Sequence, residues 1–104
     1  MDEQTPFQII SYAGDSFSKM MEALQEAKKG NFDKVDPLFL EAEQLLNQAH
    51  RVQTDLIVKE ANGKTNDLSV LLIHAQDTLM NTILSKTLIK ELIEIHQSQR
   101  EQKI

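Results

Sequence analysis

Along almost the whole chain apolar residues return at steps of three and four, the spacing of helices that bury one face. Only three glycines and two prolines interrupt the pattern, which divides into three long helical stretches with short connections. The fold class is therefore all-α. The first stretch opens at Thr5, with Pro6 suited to the first helical position and Gln8 at the spacing of a capping box. Phe7, Ile10, Gly14, Phe17, Met21 and Leu24 form its expected core stripe, which turns polar at Lys28. Lys28-Lys29-Gly30 supplies the cations and the glycine that end a helix.

Asn31 is suited to cap a second helix whose seam reads Phe32, Val35, Phe39, Ala42, Leu46, Ala49, Gln53 and Leu56. Pro37 falls within that seam, so the pattern predicts either a kink or a separate first turn before a main helix beginning at Asp36-Pro37. Asn62-Gly63-Lys64-Thr65-Asn66 is the clearest loop, with Asn66 or Asp67 suited to cap a third helix. That helix is expected from about Leu68 to the high nineties, with a fraying polar tail from Gln97 to Lys103.

The third helix differs from the other two. Leu68, Leu72, Ala75, Leu79 and Ile83 fall on one side, while Val70, Ile73, Met80, Leu84, Leu88 and Ile95 fall on a roughly opposite one. A helix in a three-helix monomer needs one apolar stripe, so the second is either covered from outside the monomer or an exposed patch, and self-association is the economical answer. Asp77 lies within that second stripe. In a symmetric trimer three such carboxylates would converge, their repulsion relieved by protonation or by a cation with oxygen ligands.

A length of 104 residues fits one domain spanning 1–104. The formal net charge of -5 argues against a nucleic-acid partner, which calls for a concentrated basic footprint. The absence of cysteine excludes disulfides, thiolate zinc sites and thiol catalysis, so any nucleophile is another residue. Neither a signal-peptide pattern nor an apolar run near the ~20 residues of a spanning helix occurs, and a cytoplasmic location is expected.

Chemistry concentrates at His74, inside the apolar run from Leu71 to Met80. Imidazole is both nucleophilic and proton-exchanging near neutrality, so it can act as ligand, base or covalent phosphate carrier. Asp67, Thr78, Asn81 and Ser85 form a polar strip around it that faces either solvent or a groove between subunits; Thr78 and Asn81 are candidates to donate to a phosphoryl group, and a merely solvated strip is the equal alternative. His96 reads as a surface residue near a helix C-terminus, and His50 as packed or hydrogen-bonded beside the second seam. Glu91, Glu94 and Glu101 alternate with Lys86, Lys90, Arg100 and Lys103 in the manner of an exposed helical surface.

Several runs resemble a known family: Tyr12-Ala13-Gly14-Asp15, Lys29-Gly30-Asn31-Phe32, Glu41-Ala42, Ala49-His50 with Gln53-Thr54, and above all His74-Ala75-Gln76-Asp77 with Leu79-Met80. The chain is similar to enzyme IIA components of the lactose and cellobiose (chitobiose) branch of the bacterial phosphoenolpyruvate-dependent sugar phosphotransferase system. The resemblance implies an antiparallel three-helix subunit assembling as a homotrimer into a nine-helix bundle. It also implies an active-site histidine at His74 and a metal-binding aspartate at Asp77, with one magnesium ion per trimer at the subunit interface. By the same resemblance the histidine takes a phosphoryl group on Nε2 from the phosphocarrier protein HPr. It passes the group to a cysteine of the cognate IIB component, which phosphorylates a β-linked disaccharide carried by the membrane component IIC. Thr78 departs from the family pattern, where a second histidine commonly follows the aspartate.

Two other classes fit a helical chain with a prominent histidine: a histidine phosphotransfer domain of two-component signalling, and a non-catalytic helical oligomerisation module. The first usually carries a lysine three residues after its histidine, where this chain has Asp77.

Overall fold

The computed structural model describes residues 4–64 and 69–102. They form three helices, α1 (Gln4–Lys29), α2 (Val35–Ala61) and α3 (Val70–Gln102), with a 3-10 turn at Phe32–Lys34 and no strand among the described residues. The bundle measures 59 × 20 × 19 Å. α1 lies between the other two, which touch each other far less than either touches α1. Arg100, near the end of α3, reaches the end of α1, so these two helices run in the same direction with α2 antiparallel to both.

α1 buries Pro6, Ile9, Ala13, Ser16, Met20, Ala23 and Ala27. This overturns the stripe expected from Phe7 to Leu24, which is displaced by one residue. Phe7 is 55% and Phe17 40% exposed, while Ile10, Met21 and Leu24 are half-buried. The physical reason is proximity. A helix packed on two sides needs small residues where backbones approach, so alanines and Ser16 occupy the contact and larger side chains move to its flank. Ser16, fully buried, donates its hydroxyl proton to the Ala42 carbonyl of α2 at 2.6 Å, which satisfies the buried polar group.

Two hydrogen bonds close α1: Gly30 N–H to the Ala27 carbonyl at 3.0 Å and Asn31 N–H to the Glu26 carbonyl at 2.9 Å. This pairing needs a left-handed residue, and Gly30 supplies it at φ 88°. A Cβ on Gly30 would also lie 2.5 Å from the Arg100 guanidinium carbon. Arg100 Nη2 donates to the Lys29 carbonyl at 3.1 Å, capping α1 from the far end of the chain. Asn31 does not cap the next helix as expected. Its Nδ2 donates to Glu26 Oε2 at 2.9 Å, turning back to α1.

The α2 seam is as expected, with Val35, Phe39, Ala42, Leu46, Ala49 and Leu56 buried. Pro37 makes no kink, because it falls in the first turn of α2, where a backbone N–H has no intrahelical partner anyway. The separate turn occurs as the 3-10 segment, and the main helix begins at Val35 rather than at Asp36.

Asn66, Asp67 and Leu68 lie outside the described residues. The cap of α3 is Ser69, whose Oγ accepts the Leu72 N–H at 3.0 Å. The helix continues to Gln102, beyond the expected high nineties. Its inner face buries Leu72, Ala75, Leu79, Thr82, Ile89 and Ile93. On its outer face Ile73, Met80, Leu84, Leu88, Leu92 and Ile95 are between 44% and 58% exposed, as the two-stripe reading requires.

Lys86 and Lys90, read as ordinary surface cations, reach across to Glu43 of α2 at 3.9 and 3.3 Å. Lys90 also lies 5.4 Å from the centre of the Phe39 ring.

Candidate functional site

α3 presents His74 in its second turn, exposed to solvent on the shoulder between the inner and outer faces. The position follows from the helical pattern. Ala75 and Leu79 are pinned in the core, which turns His74 outward. Helical side chains lean toward the N-terminus, which sets the His74 ring toward the first turn of α3.

Asp77 is exposed one turn after His74, within the outer stripe and flanked by Ile73, Met80 and Leu84. Residues three apart on a helix are neighbours, so the carboxylate and the imidazole share one end of the molecule. Among the described residues of one chain no group of three or more His, Asp or Glu is placed to hold a metal ion.

The polar strip behaves differently from expectation. Thr78 Oγ1 donates to the His74 carbonyl at 2.8 Å, Thr82 Oγ1 to the Thr78 carbonyl at 2.7 Å and Ser85 Oγ to the Asn81 carbonyl at 2.7 Å. These protons are committed to the helix backbone. Thr78 is thus not a free donor toward a group on His74, whereas Asn81 is exposed. Cations are missing too: neither the run from Val70 to Ser85 nor that from Gln4 to Ser18 contains a lysine or arginine. Asp67, assigned to the same strip, lies outside the described residues.

One polar bond absent from the sequence reading joins α2 to α3 beside the site. Gln53 Nε2 donates to Gln76 Oε1, and both side chains are half-buried. Gln53 occupies a seam position and Gln76 follows the core residue Ala75, a pairing that helical spacing alone does not reveal.

The remaining histidines sit apart. His50 is exposed on α2 rather than packed, and only its backbone carbonyl takes part in a described bond, from Thr54 Oγ1 at 2.9 Å. His96 is half-buried rather than fully on the surface. A groove between α2 and the second half of α3, lined by Val35, Phe39, Lys90 and Ile93 among others, contains no histidine.

An exposed helical histidine followed by Ala-Gln-Asp on a three-helix chain is matched by one family profile, described as PTS system, Lactose/Cellobiose specific IIA subunit, over residues 4–97. The chain belongs to this family. A lactose-specific EIIA component of the PTS from Streptococcus mutans serotype c is 48% identical over 90 residues, covering 86% of each chain. Its counterpart in Staphylococcus epidermidis is 47% identical over the same length and coverage. The crystal structure of the PTS cellobiose-specific enzyme IIA from Bacillus anthracis superposes with a TM-score of 0.94 at 45% identity, covering 97% of this chain and 94% of that one. The IIA(chitobiose) chain solved in complex with HPr, from the N,N'-diacetylchitobiose branch of the Escherichia coli phosphotransferase system, gives a TM-score of 0.82 at 36% identity, with coverage of 94% and 95%. The resemblance read from the His74 run and the three-helix fold are both borne out. Among the described residues no helix is long and apolar enough to cross a membrane.

Proposed function

We propose that this IIA component carries a phosphoryl group on His74, taking it from phospho-HPr and handing it to a cysteine of a cognate IIB component during uptake of a β-linked disaccharide through a membrane IIC component. The exposure of His74 on a chain of this family carries the reading, because a transferred group needs open approach from two successive partners. The HPr complex of the chitobiose relative supports the donor. In the first step the neutral Nε2 lone pair of His74 attacks phosphorus. The donor's P–N bond breaks, its electron pair stays on the donor imidazole, and that ring takes a proton from solvent. In the second step the cysteine thiolate of IIB attacks, and the bonding pair returns to His74. Phosphoryl transfer depends mainly on positioning and charge stabilisation, so no general base is needed on this chain. The site's work is cytoplasmic, where both protein partners are expected.

The outer stripe of α3 supports a homotrimer, with three α3 helices meeting along Ile73, Asp77, Met80 and Leu84. Each Asp77 then places one carboxylate at the axis, and three oxygens of this kind suit magnesium, which would neutralise the converging charge when bound. The family match leaves the two-component reading without support and makes a purely structural module the weaker alternative.

Incubation with phosphoenolpyruvate, enzyme I and HPr followed by intact-mass measurement tests the proposal. One added phosphoryl group per chain is expected, with complete loss in His74→Ala. Unmodified wild-type protein, or undiminished labelling of the variant, would overturn it.

A further inference from the structure

We propose that the ring closes through a second contact besides α3: the outer edge of α1 in one copy seats in the groove between α2 and α3 of the next. The inference rests on the trimer reading above and adds a belt around it. Counting about 100° per residue from Ser16, which faces α2, Phe17 and Met21 lie about 100° and 140° to one side. Lys19, paired with Glu41 of α2, lies about 60° to the other. The edge carrying Phe17 and Met21 therefore points away from its own α2, and Phe17 is left 40% exposed. Gly14 shares that edge. Nothing lies within 4 Å of where its Cβ would stand, so its own chain does not call for a residue that weakens a helix. Close approach by another chain does.

The groove measures about 540 Å³, with Val35, Phe39 and Ile93 buried along its floor and Leu40 58% exposed at its edge. Its height matches. The Ser16 to Ala42 and Arg100 to Lys29 bonds set the registers of the helices, and by them Phe39 and Ile93 stand within about one turn of Phe17 and Met21. A threefold axis along parallel α3 helices keeps heights equal from copy to copy. Arg100 reaches α1 from one side of the inner face of α3 and Lys90 reaches α2 from the other, so with α3 inward the α1 of each copy meets the α2 of the next. Charge completes the fit. The groove carries Asp36, Glu43 and Glu94 against Lys90 alone, and among the described residues neither Asp36 nor Glu94 has an ion pair. Lys28, at the end of the α1 edge, has none either, whereas Lys19, Lys29, Lys86 and Lys90 are paired within the chain. Leaning toward the N-terminus of α1, its ammonium comes to the height of those two carboxylates.

Because the chain has no cysteine, introduced thiols report the contact directly. In Phe17→Cys/Leu40→Cys the two thiols face apart within one chain and toward each other across the boundary, so a short bis-maleimide should join most of the protein into covalent trimers at low concentration. Each single variant should give none, and an equal mixture of the two refolded together should stop at dimers. Trimers in sedimentation without coupling of the double variant, or coupling through either single cysteine, overturn the belt and leave the α3 contact standing. Monomers in sedimentation of the wild-type protein overturn both. If the double variant does not fold, charge reversal replaces it. Lys28→Glu should raise the dissociation concentration of the trimer about tenfold, the effect of three exposed pairs together, and adding Asp36→Lys and Glu94→Lys should restore it. A Lys28→Glu trimer as tight as the wild type overturns the belt.

Discussion

The two faces of α3 are built from the same kinds of residue and meet different fates. Leu79 on the inner face is fully buried, while Leu84, five residues later, is 58% exposed. Composition does not distinguish them. What distinguishes them is whether the covering surface belongs to the same chain: α1 supplies it for Leu79, and in the single chain nothing supplies it for Leu84. A stripe of apolar residues therefore reports that a surface is to be covered, without saying by which molecule.

Substituting the outer face should separate assembly from folding. In the proposed trimer, Leu84→Glu removes three apolar side chains from the axis and adds three carboxylates two turns from Asp77, so complete dissociation to helical monomers is expected. Sedimentation velocity and far-ultraviolet circular dichroism check it. A persistent trimer would show that the outer face is not the seam. On the inner face, Leu79→Ala leaves a cavity inside one chain and should cost roughly 2–5 kcal/mol in urea unfolding. If its effect instead scales with protein concentration alone, the distinction between the two faces fails.

Asp77 sharpens the comparison, being the one charged residue among the outer apolar positions near His74. In chelator, Asp77→Leu should raise the melting temperature of the assembly by roughly 5 °C, since it removes converging charge and adds apolar surface. A large loss of stability with dissociation would show that the carboxylate holds the interface together.

The sequence made His74 and Asp77 legible because each breaks a local rule, a titratable group inside an apolar run. The α2 seam was legible because its largest residues are also its buried ones. On α1 the same logic fails: Phe7 and Phe17 draw the eye to a stripe one residue away from Ala13, Met20 and Ala23, because close backbone contact selects for smallness. Helical periodicity is blind to partners far apart in sequence. Glu43 with Lys86 and Lys90, Gln53 with Gln76, and Arg100 with Lys29 are separated by 43, 47, 23 and 71 positions, so no local pattern carries them. Several capping residues stand together before α3, and only backbone geometry, which brings Ser69 Oγ to the Leu72 N–H, selects Ser69 among them.

The smallest effect tests whether the two faces can be studied without interference from the rest of the bundle. Glu26 sits at the opposite end of α1 from the level of His74, and its carboxyl titrates below the ordinary value of 4.5, chiefly because Asn31 donates to it, with the nearby charges of Lys29 and Lys34 adding to the effect against a smaller opposing influence of desolvation from burial. A lowered value in the folded state means that the unfolded chain binds the proton more readily. The contribution to stability is therefore present above pH 4.5 and is lost as the pH falls through the folded value. Asn31→Ala should move the Glu26 titration upward toward the ordinary carboxylate range and flatten the acid limb of stability below pH 4.5, as followed by carbon-detected NMR. Sedimentation at neutral pH should not change, because the Asn31 side-chain bond runs back to Glu26 at the far end of the bundle from Asp77. A change in assembly would mean that the α1 turn and the outer stripe are coupled, and that acid effects on the trimer cannot be assigned to Asp77 alone.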